Sequence, residues 1–258
     1  MSTPRPKKRF GQHFLHDRAV VGRIINAFRP QPTDRAVEIG PGPGVLTREL
    51  APRVERLDAV EIDRDLAAAL VNEFAAQSSV TIHEVDALEF DFCGLAEAGK
   101  KLRLIGNLPY NISTPLLFHL FRQRQCIADM LFMLQKEVVD RLCAVPGNKD
   151  YGRLSVMSQW YCQIERCFNV GPGAFTPPPK VDSAVVRLTP LDSPIAVDNA
   201  DHFALVVKAA FAQRRKTLRN SLREIIDAEV IRTVGIDPIR RAETLTVAEF
   251  AALANASS

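Results

Sequence analysis

The chain is predicted to fold as an α/β domain, a mostly parallel sheet with helices on both faces, followed by a small C-terminal all-α domain. Three observations carry this. Short apolar runs that read as strands alternate with helical stretches as far as Leu188, and such alternation favours parallel pairing because each crossover helix covers a face of the sheet. Residues 190–199 turn to Pro, Asp, Ser and Asn, the composition of a linker. Beyond them strand signals stop. A length of 258 residues suits one large core with a smaller appendage.

Asp17 to Phe28 carries Val20, Val21, Ile24, Ile25 and Phe28 at helical spacing, and Pro30 and Pro32 end that helix. Strands are expected at Ala36–Ile39, Leu57–Ile62, Val80–His83, Leu102–Ile105 and Met130–Leu134. Thr114 and Pro115 read as the cap and first residue of a helix with Leu116, Leu117, Leu120 and Phe121 on its buried stripe. A helix from Arg153 to about Gln159 should lead into a strand towards Val170. Gly171 to Pro179, rich in Gly and Pro, is expected to be a loop, and Val181 to Leu188 alternates as the strand that closes the sheet. His202–Gln213, Thr217–Asp227 and Val247–Ala254 read as the helices of the second domain.

A hydrophobic fraction of 47% with 24% charged residues excludes a largely disordered chain. The net charge of +3 is only mildly basic, but the cations are concentrated in two runs: Arg5, Lys7, Lys8 and Arg9, then Arg214, Arg215, Lys216, Arg219 and Arg223. Such runs fit a nucleic-acid contact or a solvated surface equally well. Cys93, Cys126, Cys143, Cys162 and Cys167 are odd in number and lack the paired short spacings of a zinc site, so reduced thiols and no metal are expected. No apolar stretch follows the basic N-terminal residues, and a soluble, cytoplasmic protein is expected.

Two segments carry chemistry. The first is Ala36-Val37-Glu38-Ile39-Gly40-Pro41-Gly42-Pro43-Gly44, a strand running into a glycine turn that lets the backbone approach a ligand. Gly44 follows Gly42 by two residues, where the dinucleotide fingerprint needs three, which speaks against a pyrophosphate cofactor. Glu61 ends the second strand, where an acidic residue meets ribose hydroxyls in nucleotide-binding α/β folds. Asp86 follows the third strand and can accept from an adenine amino group. These residues together fit a nucleoside without phosphates; singly they also fit a structural turn, a surface carboxylate and a helix cap.

The second segment is Gly106-Asn107-Leu108-Pro109-Tyr110, directly after the fourth strand. Methylating an aromatic amine requires its lone pair to be turned towards the methyl donor. The Asn107 side-chain oxygen and the Leu108 carbonyl, exposed by the stiff Pro109 turn, can hold the two amine hydrogens for this purpose. Tyr110 offers a ring for the base to stack on. No nucleophile or strong base is present, so catalysis would rest on alignment and charge stabilisation.

With Lys8–Leu15, Phe175–Ser183 and Phe211–Asn220, these segments resemble in order the ribosomal RNA adenine dimethyltransferases, most of all the bacterial small-subunit type. The resemblance implies a Rossmann-like class I methyltransferase sheet and S-adenosyl-L-methionine as cofactor. It implies two methyl groups on each of two adjacent adenosines near the 3′ end of 16S rRNA, within the small ribosomal subunit and its biogenesis, no membrane, and a monomer. Cofactor contacts carry over to His13, Leu15, Gly40, Gly42, Glu61, Asp86 and Asn107. Asn107, Leu108 and Tyr110 would be the catalytic group meeting the target adenine, and Phe175 its second aromatic wall. Position 13 is often Asn in this family, and His13 departs from that form. Residues 1–16 would be a basic segment folding over the cofactor site, 17–190 the catalytic domain and 200–258 the helical RNA-binding domain. In that last domain Arg215, Lys216 and Arg219 would form a basic stripe on one helix face. A binding-only ribosome-assembly factor and a large-subunit methyltransferase are the competing readings. The intact Asn107–Tyr110 segment argues against the first and the Phe211–Leu218 run against the second.

Overall fold

The computed structural model describes residues 12–97, 99–192 and 194–257. Arg5, Lys7, Lys8 and Arg9, and with them most of the segment expected over the cofactor site, lie outside the described residues. The elements run β1 (Phe14–Leu15), α1 (Arg18–Phe28), β2 (Arg35–Ile39), α2 (Val45–Leu50), β3 (Arg56–Glu61), α3 (Arg64–Glu73), β4 (Val80–Glu84), β5 (Leu102–Asn107), α4 (Ser113–Arg122), β6 (Ile127–Gln135), α5 (Lys136–Cys143), α6 (Arg153–Tyr161), β7 (Cys162–Val170), β8 (Phe175–Thr176) and β9 (Ser183–Pro190). Four helices follow: α7 (Ala200–Ala212), α8 (Leu218–Ser221), α9 (Ala228–Thr233) and α10 (Val247–Asn255).

Seven strands form one sheet in the order β4-β3-β2-β5-β6-β9-β7. The first five of these pair in parallel, and β9 lies antiparallel on β6. The chain starts at β2, extends to one side through β3 and β4, then crosses to β5 and β6. The crevice at the β2/β5 switch point, outside the carboxyl ends of the strands, is where such sheets bind ligands. β2 is buried along its whole length, as a parallel central strand must be. α1 opens on Asp17, whose carboxylate accepts from the Ala19 and Val20 N–H groups, and seats Val20, Val21, Ile24, Ile25 and Phe28 in the core. Each such side chain contributes about 1.5–3 kcal/mol by leaving water. Its last carbonyls are taken by the Arg103 guanidinium, 2.6 Å from Phe28 O and 3.1 Å from Arg29 O, while Asp34 and Asp129 neutralise that arginine at 2.6 and 2.8 Å.

Contacts divide the chain into Met1–Val139 with Glu165–Pro190, and Asp140–Ile164 with Leu191–Ser258. Residues 140–164, expected in the catalytic domain, therefore cluster with the C-terminal helices. Their aromatic side chains explain this. Tyr151 is 1% exposed and donates its hydroxyl to Leu245 O at 2.9 Å, and Trp160 packs on Phe203 with ring centroids 4.7 Å apart. Thr246 and Glu249 close a capping box at the start of α10.

Three local expectations are corrected. α4 begins at Ser113 after Ile112, without a side-chain cap from Thr114. The helix expected over Thr217–Asp227 is confined to α8: past Leu222, whose N–H still returns to Leu218 O at 2.8 Å, the Ile225 and Ile226 N–H groups both turn back to Leu222 O at 2.8 Å, and Asp227 opens the separate helix α9. The cysteines are not all reduced: Cys93 and Cys126 form a disulfide across 33 residues, while Cys143, Cys162 and Cys167 are free. Among the described residues no helix is long and apolar enough to cross a membrane.

Candidate active site

β2 runs into the glycine turn, where Gly40, Gly42 and Gly44 adopt φ of 68°, 56° and 81°. These are left-handed conformations that glycine alone takes without strain. Glu61, at the end of β3, buttresses the turn. One carboxylate oxygen accepts from Gly42 N–H at 3.0 Å and the other from Asp63 N–H at 2.9 Å, and the residue is 5% exposed. Burial pushes its carboxyl above the usual range, opposed by those two backbone donors. Beside it, Glu38 is 1% exposed and accepts from the Thr47 hydroxyl at 2.7 Å. Burial pushes Glu38 up to about 7, with the Glu61 charge adding and Thr47 and Arg48 opposing. Asp86 serves locally as the expected cap would, accepting from Leu88 N–H at 2.9 Å, and it also faces the cavity.

β5 approaches β2 so closely that a Cβ on Gly106 would collide with the Ile39 carbonyl oxygen, which is why glycine precedes Asn107. Asn107 Nδ2 donates to His13 O at 3.1 Å, and Oδ1 has no hydrogen-bond partner among the described residues. Leu108 N–H donates to Met133 O at 3.1 Å. The Tyr110 hydroxyl meets Ser183 Oγ at 2.8 Å, and burial raises its pKa. His13 stacks on the Tyr110 ring, with centroids 5.5 Å apart and planes 28° apart, and its Nδ1 donates to Pro177 O at 2.7 Å.

His13, Gly40, Gly42, Glu61, Asp86, Asn107, Leu108 and Tyr110 thus line one cavity, walled also by Gln12, Phe14 and apolar residues such as Ile39, Val60 and Ile112. Leu15 and Phe175 do not join them. They pair in the antiparallel β1–β8 ladder and are 5% and 2% exposed in the core that receives α1. The expected aromatic wall at Phe175 is therefore a core anchor, since a ring so enclosed has no face to offer a base. Arg215, Lys216 and Arg219 are exposed, but α7 ends at Ala212 and α8 begins at Leu218, so they do not share one helix face. Ser183, Gln12 and Phe14 were given no individual role by the sequence. Ser183 reaches Tyr110 only because β9 pairs with β6 in a register that sets Ser183 opposite Gln135.

The acidic end of β3, the glycine backbone of the β2 turn and an apolar floor accept a nucleoside and leave no phosphate cradle, which fits S-adenosyl-L-methionine. The sheet order and this cleft together define a class I S-adenosylmethionine-dependent methyltransferase. More narrowly, residues 4–257 match the family described as ribosomal RNA adenine dimethylase, and the chain belongs to that family. It is 53% identical to a ribosomal RNA small subunit methyltransferase A of Pseudomonas aeruginosa, over 97% of this chain and 94% of the relative. A protein of the same name from Methylococcus capsulatus is 56% identical over 96% of each chain. Among solved structures, a dimethyladenosine transferase from Plasmodium falciparum superposes with a TM-score of 0.82 at 25% identity, covering 93% of this chain and 96% of the other.

Proposed function

We propose that the chain dimethylates the exocyclic amines of two adjacent adenosines near the 3′ end of 16S rRNA, within the small ribosomal subunit in the cytoplasm. The observation that carries this is the Asn107–Tyr110 turn opening into the same cavity as Glu61 and the glycine backbone. The relatives named as small-subunit methyltransferases support the choice of subunit.

S-Adenosyl-L-methionine, when bound, supplies an electrophilic methyl carbon. Glu61 and Asp86 would hold its ribose and adenine, with His13, Gly40, Gly42 and Asn107 completing the contacts. Asn107 Oδ1 and the Leu108 carbonyl accept the hydrogens of the target amine and turn its lone pair into the cleft. Tyr110, its hydroxyl anchored on Ser183, presents a fixed ring to the base. Rate enhancement comes from this alignment and from oxygen dipoles that stabilise positive charge as it develops on the amine. Arg215, Lys216 and Arg219 act as separate phosphate contacts on the C-terminal helical unit.

The test is to incubate the protein with labelled S-adenosylmethionine and unmethylated small subunits, large subunits or free rRNA, and to map the modified nucleotide by mass spectrometry. Paired dimethyladenosines in small-subunit RNA are expected. Label confined to large-subunit RNA would overturn the reading.

A further inference from the structure

The solvent face of α1 is not used by the site described above. Arg18, Gly22, Asn26 and the cap residue Arg29 recur about once per turn along it, with Ala19 and Arg23 alongside, and all six are exposed. From Arg18 to Thr33 the chain contains no carboxylate. The Asp17 carboxylate before it is engaged by the Ala19 and Val20 N–H groups. Among the described residues Arg18, Arg23 and Arg29 have no carboxylate partner, whereas Arg48, Arg53, Arg232 and Arg240 are each held by one.

Three further features point to a ligand. Gly22 sits in the middle of this helix, where glycine costs about 1 kcal/mol relative to alanine. A Cβ there would meet nothing within 4 Å, so packing does not demand the glycine. What it does is keep the exposed face low between flanking arginines. The Arg23 guanidinium carbon lies 4.0 Å from the centroid of the Phe168 ring, a contact that favours this placement without neutralising the charge. The C-terminal end of the face opens into a cavity of about 690 Å³ lined by Arg23 and Arg29, whose other charged walls are Glu165 and the arginines Arg103 and Arg187, already held by Asp34 and Asp129.

We propose that this face of α1 is a second RNA-docking surface, sharing no residue with the lining of the base pocket, which takes the phosphodiester backbone of the ribosomal RNA substrate. It reads charge and backbone shape and no sequence, because phosphate contacts position a nucleic acid without reporting its bases. The inference rests on the reading of the chain as an enzyme acting on ribosomal RNA.

Three full-length variants test it: Arg18→Ala/Arg23→Ala/Arg29→Ala, the same three positions changed to Lys, and Gly22→Gln. Binding to unmethylated small subunits is titrated across a salt series, with cofactor Kd and thermal unfolding as controls. For the alanine variant, affinity near 0.1 M salt should fall about tenfold or more, and the slope of log K against log salt should flatten by roughly 2–3, from about 0.7–0.9 per lost phosphate contact. The lysine variant should restore the slope, and Gly22→Gln should weaken binding without lowering the unfolding temperature. Cofactor Kd should not move in any of them. An alanine variant with wild-type affinity and slope overturns the proposal while leaving the enzyme's function intact. Transfer of the effect to anionic lipid vesicles, with RNA binding unchanged, overturns it equally. Failure of the wild-type protein to bind ribosomal RNA would instead remove the reading on which it rests.

Discussion

Replacing Glu38 by Gln should remove a pH dependence that the site builds into the stability of the catalytic unit. Glu38 is 1% exposed, and its carboxyl titrates near 7 instead of 4.5. Because the folded state holds this proton more tightly than the unfolded state, folding takes up a proton between about pH 4.5 and 7. Unfolding free energy therefore falls as pH rises through that interval. A displacement of that size is worth on the order of 3 kcal/mol, present below the lower value and lost above the upper one. Glutamine keeps an acceptor for the Thr47 hydroxyl but carries no charge to bury. The variant should match the wild type near pH 4.5 and exceed it by up to about 3 kcal/mol at pH 8. Urea unfolding of both proteins across this range, followed by a probe in the sheet domain, measures the difference. Parallel pH profiles, or a variant less stable than wild type at pH 8, would refute the assignment of the buried charge to Glu38.

Four further outcomes are expected. Glu61→Ala should weaken S-adenosylmethionine binding by about 1.5–3 kcal/mol, roughly 10- to 150-fold in Kd by calorimetry, since it removes a charged acceptor and frees the Gly42 turn. Asn107→Ala should lower turnover steeply while Tyr110→Ala costs about 1–3 kcal/mol, mainly in RNA binding; single-turnover kinetics separates the two, and wild-type turnover in Asn107→Ala would end the alignment mechanism. Phe175→Ala should destabilise the fold by about 3–5 kcal/mol in equilibrium unfolding, as loss of a core ring does. Changing Arg215, Lys216 and Arg219 to Ala should reduce small-subunit affinity and its salt slope in filter binding, with cofactor Kd unchanged.

The parallel strands were legible because strands buried on both faces are mainly apolar, even with Glu38, Asp58 and Glu61 among them, and Ala36–Ile39 and Leu57–Ile62 sit within a residue of β2 and β3. The glycine turn, Glu61, Asp86 and Asn107–Tyr110 were legible because strand ends on one side of such a sheet must converge. What was not legible depends on contacts distant in sequence. A phenylalanine in a Gly/Pro-rich loop has the same local signature whether it faces a pocket or the core, and only the β1–β8 pairing decides for Phe175. The helix assigned to Thr217–Asp227 is broken by a turn after Leu222, and Asp227 caps a separate helix, although residues 222–226 contain no Gly or Pro to signal the break. The Cys93–Cys126 bond joins residues whose spacing carries no signal.

The small β1–β8 ladder sets an order on how the site is built during synthesis. Phe14 and Leu15 are among the early residues of the chain, yet their partners Thr176 and Phe175 emerge from the ribosome only after most of the sheet has been made. His13 likewise waits for Pro177, and the Tyr110 hydroxyl for Ser183. A nascent or truncated chain ending before these partners lacks the wall that holds His13 against Tyr110. Completion of the base pocket therefore waits on residues 175–183, whatever part of the sheet has formed before them.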